Sequence, residues 1–96
     1  MLNAVKSSMR ISHSKSDQDI LKLIDAAFAD LIRSGADERV VRNDNPLVVQ
    51  AVIVYCKREF TDDVNKHNRF NLSYQQMLDE IRKSGDDYLH RSDRTG

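Results

Sequence analysis

Apolar residues recur with the period of an α-helix between residues 16 and 35. Seven of them fall on one side for three turns: Ile20, Leu23, Ile24, Ala27, Phe28, Leu31 and Ile32. Ser16 and Asp19 have the spacing of a capping box at the start of this stretch. Gly35 stands just past its end, where a glycine commonly terminates a helix. The pattern therefore predicts a helix that buries one side.

Residues 45–60, NPLVVQAVIVYCKREF, form the most apolar segment of the chain. The β-branched run from Val48 to Val54 would suit a buried strand. However, Asn45 is a good N-cap and Pro46 fits the first helical position. The uninterrupted length up to Phe60 is ordinary for a helix and long for a strand, and no other segment alternates as a partner strand would. We therefore predict a central helix over about residues 46–60, apolar nearly all round.

The N-terminal half carries two weaker patterns. Leu2, Val5 and Met9 share one face of a predicted helix over residues 2–10, which the serines of RISHSKS then interrupt by competing for backbone hydrogen bonds. Residues 36–44 are mostly polar and predict a connection with no more than one helical turn.

The C-terminal part of the sequence predicts a polar loop, a helix and a tail. Residues 61–71, TDDVNKHNRFN, predict the loop. A helix follows, with Ser73 and Gln76 as a second capping box, and Gly85 ends or bends it. Its apolar side consists of Tyr74, Met77, Leu78 and Ile81. The predicted fold is thus all-α: a small four-helix bundle in one domain, residues 1–89, with a disordered, flexible C-terminal tail, residues 90–96.

Composition narrows the class of protein. Lys plus Arg and Asp plus Glu number 15 each, so the chain lacks the basic excess of a dedicated nucleic-acid binder and copies of it do not repel each other. The single cysteine, Cys56, excludes an intramolecular disulfide and fits a reducing cytosolic site of folding. The longest apolar run is too short to span a membrane, and the N-terminus lacks the apolar core of a signal peptide.

No residue pattern indicates catalysis, a metal site or a cofactor. The three histidines, His13, His67 and His90, lie far apart in polar segments, which is typical of surface residues. No HExxH motif or cysteine pair supports a zinc site. Cys56 has no neighbouring histidine on its apolar helix, so we expect a small core residue. We predict no catalytic residue, no metal ligand and no cofactor.

Aromatic residues concentrate in the C-terminal half and allow two interpretations. They are Phe60, Phe70, Tyr74 and Tyr88. In the first interpretation they close the bundle over the apolar helix. In the second they form a binding face, since Tyr and Arg are enriched at interface hot spots and NRFNLSY combines Arg69, Phe70 and Tyr74. Phe70 is the best single candidate, because a polar loop gives it little reason to be buried.

Four segments together resemble a known family. They are MRIS, DILKLIDAAFADLIRSGA, NPLVVQAVIVYCKREF and NRFNLSYQQMLDEIRKSGDDYL, and the resemblance runs over residues 1–89. The chain resembles the small head–tail connector proteins of tailed bacteriophages, also called head-completion or DNA-packaging adaptor proteins. It is most similar to the branch from phages and prophages of Gram-positive hosts. One departure is FTDDVNKHNRF, which lacks the glycine expected soon after Phe60 and puts the shape of that loop in question.

The resemblance implies a structural role without catalysis. Such proteins form a ring, twelvefold in the virion, beneath the portal at the head–tail junction, after assembly in the host cytoplasm. The implied partners are the portal protein, a neighbouring connector or tail-completion protein and other copies of the chain, with DNA only as passing cargo and no membrane. The C-terminal region would engage the portal. The predicted partner interface comprises Arg69, Phe70, Tyr74, Tyr88 and Leu89.

A small helical prophage regulator, DNA-binding or antitoxin-like, is the alternative. Such a protein should carry a basic face on one exposed helix, and none is evident in the sequence. The gap from Gly35 to Asn45 is also too long for the turn of a helix-turn-helix motif.

Overall fold

In a computed structural model, the described parts of the chain form four longer α-helices and one single-turn helix. The structure describes the backbone of residues 1–42 and 45–95 and the side chains of residues 1–42 and 45–83. The helices are α1 (Leu2–Ser8), α2 (Asp17–Arg33), α3 (Glu38–Val41), α4 (Pro46–Phe60) and α5 (Val64–Thr95). The described backbone contains no strand, so the predicted all-α class is confirmed.

Helix α4 is the central helix of the bundle, as predicted. It packs against α1, α2 and α5. Its buried residues point to several sides: Val48, Ala51, Val52, Ile53 and Cys56. The side chain of Asn45 accepts a hydrogen bond from the N–H of Leu47 at 2.8 Å, so the predicted cap is present. Packing on several sides outweighs the strand preference of the β-branched residues, which is small and depends on context.

Helix α2 has the predicted extent, but its N-terminal cap differs. Gly35 adopts a φ of 106°, and its N–H donates to the carbonyl of Ile32 at 3.1 Å. The N–H of Ala36 donates to the carbonyl of Leu31 at 3.0 Å, which completes a Schellman motif. At the other end, the side chain of Ser16 makes no capping hydrogen bond, so the predicted capping box is wrong. Ser16 has a ψ of 6° instead of the extended conformation that a capping side chain needs.

Helix α1 ends at Ser8, two residues before its predicted end, and a left-handed arginine follows it. Arg10 has a φ of 58°, and the N–H of Ile11 donates to the carbonyl of Lys6 at 2.9 Å. Val5 is fully buried, and Lys6 Nζ lies 2.7 Å from Asp17 Oδ1. That contact is an ion pair without the geometry of a directed hydrogen bond. Together these contacts hold α1 against α2.

Helix α5 begins nine residues earlier than its predicted cap. Asp63 Oδ1 accepts hydrogen bonds from the N–H groups of Asn65 at 2.8 Å and Lys66 at 3.1 Å. Most of the predicted loop over residues 61–71 is therefore helical, and Ser73 lies inside the helix and does not cap it. The connection between α4 and α5 is only residues 61–63, which is why it needs no glycine.

The predicted end of this helix at Gly85 is not observed, because α5 reaches Thr95. The side chains after Lys83 and the whole of Gly96 lie outside the described residues. The predicted disorder of residues 90–96 therefore stays a prediction.

Candidate interaction surfaces

A partly buried group of polar and aromatic side chains around the buried Tyr74, here the Tyr74 cluster, joins α2, α4 and α5. Tyr74 is fully buried, and its Oη donates to Asp30 Oδ2 at 2.6 Å. The guanidinium carbon of Arg58 lies 4.6 Å from the ring centroid of Tyr55 and 5.2 Å from that of Tyr74. The two rings meet edge to face, 5.5 Å apart. Both rings can therefore stabilise the arginine charge through cation–π contacts.

Hydrogen bonds favour the ionised form of Asp30 and the protonated form of the Tyr74 hydroxyl. Burial alone would raise the pKa of Asp30, but hydrogen bonds from Tyr74 and Arg33 outweigh it and hold the pKa below its ordinary value. Burial, followed by the hydrogen bond to Asp30, raises the pKa of Tyr74 far above that of a free phenol. The Tyr74 hydroxyl is thus a permanent donor at physiological pH. Arg58 is tied to α5 by a 2.8 Å hydrogen bond to Asn71 Oδ1.

An apolar surface, here the Phe60 patch, forms where the ends of α1 and α4 meet the start of α5. Its apolar members are Met9, Ile11, Phe60 and Phe70, and Lys57 and Lys66 lie beside them. Phe60 is 39% exposed, which is unusual for so large an apolar side chain. No carboxylate lines this patch, and neither lysine forms an ion pair with another described residue.

A second apolar surface is the α2–α3 groove, a cleft of about 650 Å³. Its lining comprises Asp25, Phe28, Ala29, Ile32, Arg33, Val41 and Arg42. The two arginines at its edge are already paired, Arg33 with Asp30 at 2.7 Å and Arg42 with Glu38 at 2.8 Å. Asp25 forms no ion pair with any described residue. The charge that this groove leaves uncompensated is therefore negative.

The outer face of α5 is the third surface and comprises Arg69, Leu72 and Gln76. Successive members are three or four residues apart and so share one side of the helix. Arg69 and Gln76 are exposed, and Leu72 is 62% exposed. The face combines an arginine with an exposed leucine at the side of α5 that points away from α4.

The described side chains offer little to catalysis. They contain no group of His, Cys, Asp and Glu suited to hold a metal ion. Cys56 is fully buried, and burial is the main cause that raises the pKa of its thiol to about 11, as expected for a core residue. His13 and His67 are exposed, as predicted, and His90 lies outside the described residues. Among the described helices, none is long and apolar enough to cross a membrane.

The model of a protein family described as phage connector protein matches residues 1–87. The chain belongs to that family. The match includes the Tyr74 cluster, the Phe60 patch and the α2–α3 groove. Phage connectors are structural proteins that link head and tail. The family match therefore favours the connector hypothesis over the hypothesis of a prophage regulator. No curated protein and no solved structure gives a significant match to the chain.

The predicted partner residues of this connector occupy different environments. Arg69 is exposed on the outer face of α5, and Phe70 is half-buried in the Phe60 patch. Tyr74 is inside the bundle, where it closes the fold over α4; a direct partner contact would require its ring to leave the core. Tyr88 and Leu89 lie outside the described side chains.

Sequence reasoning missed Met9, Ile11 and the α2–α3 groove. The left-handed conformation of Arg10 turns the chain between Met9 and Ile11, and an arginine gives no signal of such a turn. The groove depends on how the single turn α3 lies against α2, which a mostly polar connection does not reveal. Phe60 was recognised as an aromatic candidate, but its exposure depends on the sharp turn into α5.

Proposed function

We propose that this phage connector forms a ring at the portal vertex, joins the DNA-filled head to the tail and extends the DNA channel. The observation that carries the proposal is the family match over residues 1–87. The fold supports it, because the described surface presents several exposed apolar areas on a small bundle, as a subunit of an assembly needs. The protein acts through shape and interfaces, without catalysis.

The portal contact is proposed to lie along α5. Its outer face presents Arg69 beside Leu72, an arrangement of charge and apolar area that suits an interface hot spot. Tyr88 and Leu89, further along the same helix, are the additional contacts that the family resemblance suggests. The Tyr74 cluster contributes indirectly, because it holds α5 against α2 and α4 and so fixes the direction of the outer face.

The charge balance fits a channel through which DNA moves. Positive and negative side chains number 15 each, so the subunit has no net attraction for phosphates that would retain DNA. We propose a twelvefold ring, located in the virion at the head–tail junction, whose far side meets the next connector or tail-completion protein. Following the sequence resemblance, we place the phage among those of Gram-positive hosts; portal and capsid genes beside this gene in such a genome would support that placement.

Co-sedimentation with purified portal from the same phage tests the proposed function. The wild-type connector should sediment with the portal, and Arg69→Glu should reduce the bound fraction. Lys15→Glu is the matched control, because it makes the same charge change at an exposed residue of the connection between α1 and α2. Both variants should keep wild-type helicity. Absence of wild-type binding would refute the portal role, and equal loss in both variants would refute the α5 contact.

A further inference from the structure

Phe60 and the α2–α3 groove lie on opposite sides of α2. Leu23 lines a shallow surface beside Phe60 that also includes Asp19, Lys22 and Glu59, whereas Ile32 lines the α2–α3 groove. Leu23 and Ile32 are nine positions apart, which at 100° per residue places them about 180° apart around the helix axis. A subunit of a ring must contact one neighbour on each side through two different surfaces. These two surfaces have that arrangement.

The two surfaces also complement each other in charge, and both are apolar. The Phe60 patch is a shallow apolar surface in which Phe60 is 39% exposed, whereas the α2–α3 groove is a cleft whose apolar lining includes Phe28 and Ile32. The patch carries Lys57 and Lys66, and the groove carries the unpaired carboxylate of Asp25. Contact between two Phe60 patches would instead bring lysines against lysines, which disfavours a symmetric dimer through this surface.

We propose that the Phe60 patch of one subunit docks into the α2–α3 groove of a second copy of this chain. Phe60 enters the cleft between α2 and α3, while Lys57 and Lys66 approach Asp25 at its edge. The contact is heterologous, so repeating it leads from one subunit to the next around a ring. The inference rests on the proposed ring, and it names the surfaces through which the ring closes.

Disulfide cross-linking of the full chain without portal tests this contact. Ala29→Cys in the groove and Thr61→Cys beside Phe60 are introduced into the same chain. Oxidation at high protein concentration should give a ladder of covalent multimers. In the control, Ala29→Cys is combined with Gln76→Cys on the outer face of α5 and should give about tenfold less cross-linked dimer, the ratio of a preference of ~1.4 kcal/mol. The native thiol at Cys56 does not interfere because it is fully buried.

Charge exchange decides whether the ladder reports the proposed contact. Asp25→Lys alone and Lys66→Asp alone, each in the cross-linking chain, should both reduce the ladder, and the two together should restore it. Both positions are exposed, and an acidic residue at 66 suits the first turn of α5, so these variants should fold. A ladder no stronger than the control, or failure of the exchange to restore it, would overturn the proposal. Because no portal is present, either result leaves the test of the portal role independent.

Discussion

Replacing Tyr74 by phenylalanine removes one hydrogen bond from the core and little else. The ring can still pack between α2, α4 and α5 and still face the guanidinium of Arg58. The lost group is the hydroxyl that donates to Asp30 at 2.6 Å. We therefore expect the substitution to weaken the fold through this bond, with no large cavity.

The surroundings of Asp30 allow an estimate of the loss in free energy of unfolding. A hydrogen bond to a charged group contributes about 1.5–3 kcal/mol to stability. Asp30 retains Arg33 and its side chain is 23% exposed, so water can partly replace the hydroxyl. The expected loss is therefore at the lower end, about 1.5–2 kcal/mol, which corresponds to a fall in Tm of roughly 10 °C for a domain of this size.

The effect should also depend on pH. Because the folded-state pKa of Asp30 is below its ordinary value of 3.8, the stability that this carboxylate contributes is complete above that pH and is lost as the pH falls through the folded pKa. In Tyr74→Phe the folded pKa should rise, since one of its stabilising donors is gone. The stability difference between the two proteins should thus be full at neutral pH and should narrow in acid below 3.8.

Urea unfolding followed by circular dichroism at neutral and acidic pH measures both effects. Tyr55→Phe is the matched control, because it removes a tyrosine hydroxyl from the same cluster that forms no hydrogen bond to a described residue. It should change the free energy of unfolding by less than about 0.5 kcal/mol. Equal losses in the two variants, or a Tyr74→Phe difference that does not change with pH, would refute this reasoning.

Three other predictions concern single residues. Arg10→Gly should raise the free energy of unfolding by about 1 kcal/mol in thermal melts, because glycine adopts the left-handed conformation without the strain of a side chain; unchanged stability would contradict it. Gly35→Ala should lower the free energy of unfolding by about 1–2 kcal/mol, and Tm with it, because a φ of 106° strains a residue that has a side chain. A clash is not the cause, since an added Cβ would lie 3.5 Å from Arg82 Nε. Cys56 should resist thiol reagents at neutral pH until the protein unfolds, because it is buried and its thiol pKa is about 11; rapid labelling of the native protein would contradict its core position.

Local signals explain why α2 and α4 could be predicted from the sequence. The Asn45–Pro46 start and the Gly35 stop act within a few residues, and the apolar periodicity of α2 is long enough to be unambiguous. The start of α5 was missed for a physical reason as well. Residues 64–69 are exposed, so their helical turns have the polar composition of a loop. The one available signal was Asp63, an N-cap residue that stands directly before these turns.

The candidate surfaces depend on contacts between distant parts of the chain. The Phe60 patch brings Met9 and Ile11 next to Phe70, and the Tyr74 cluster pairs Tyr74 with Asp30, 44 residues earlier. Periodicity assigns an aromatic residue to a side of a helix, but it does not show what covers that side. The sequence therefore indicated that the aromatic segment is important, but it did not show which of its residues are buried in the core and which lie at the surface.

The order of residues along α5 explains how one short segment can serve both folding and assembly. Arg69 and Phe70 are adjacent and point about 100° apart, one toward the outer face and the other toward the Phe60 patch. Tyr74, one turn after Phe70, is buried and anchors the helix. A substitution at any of the three could reduce assembly, but only Tyr74 should do so by destabilising the subunit. Binding must therefore be measured together with the free energy of unfolding, because loss of binding alone would assign the core anchor to the interface.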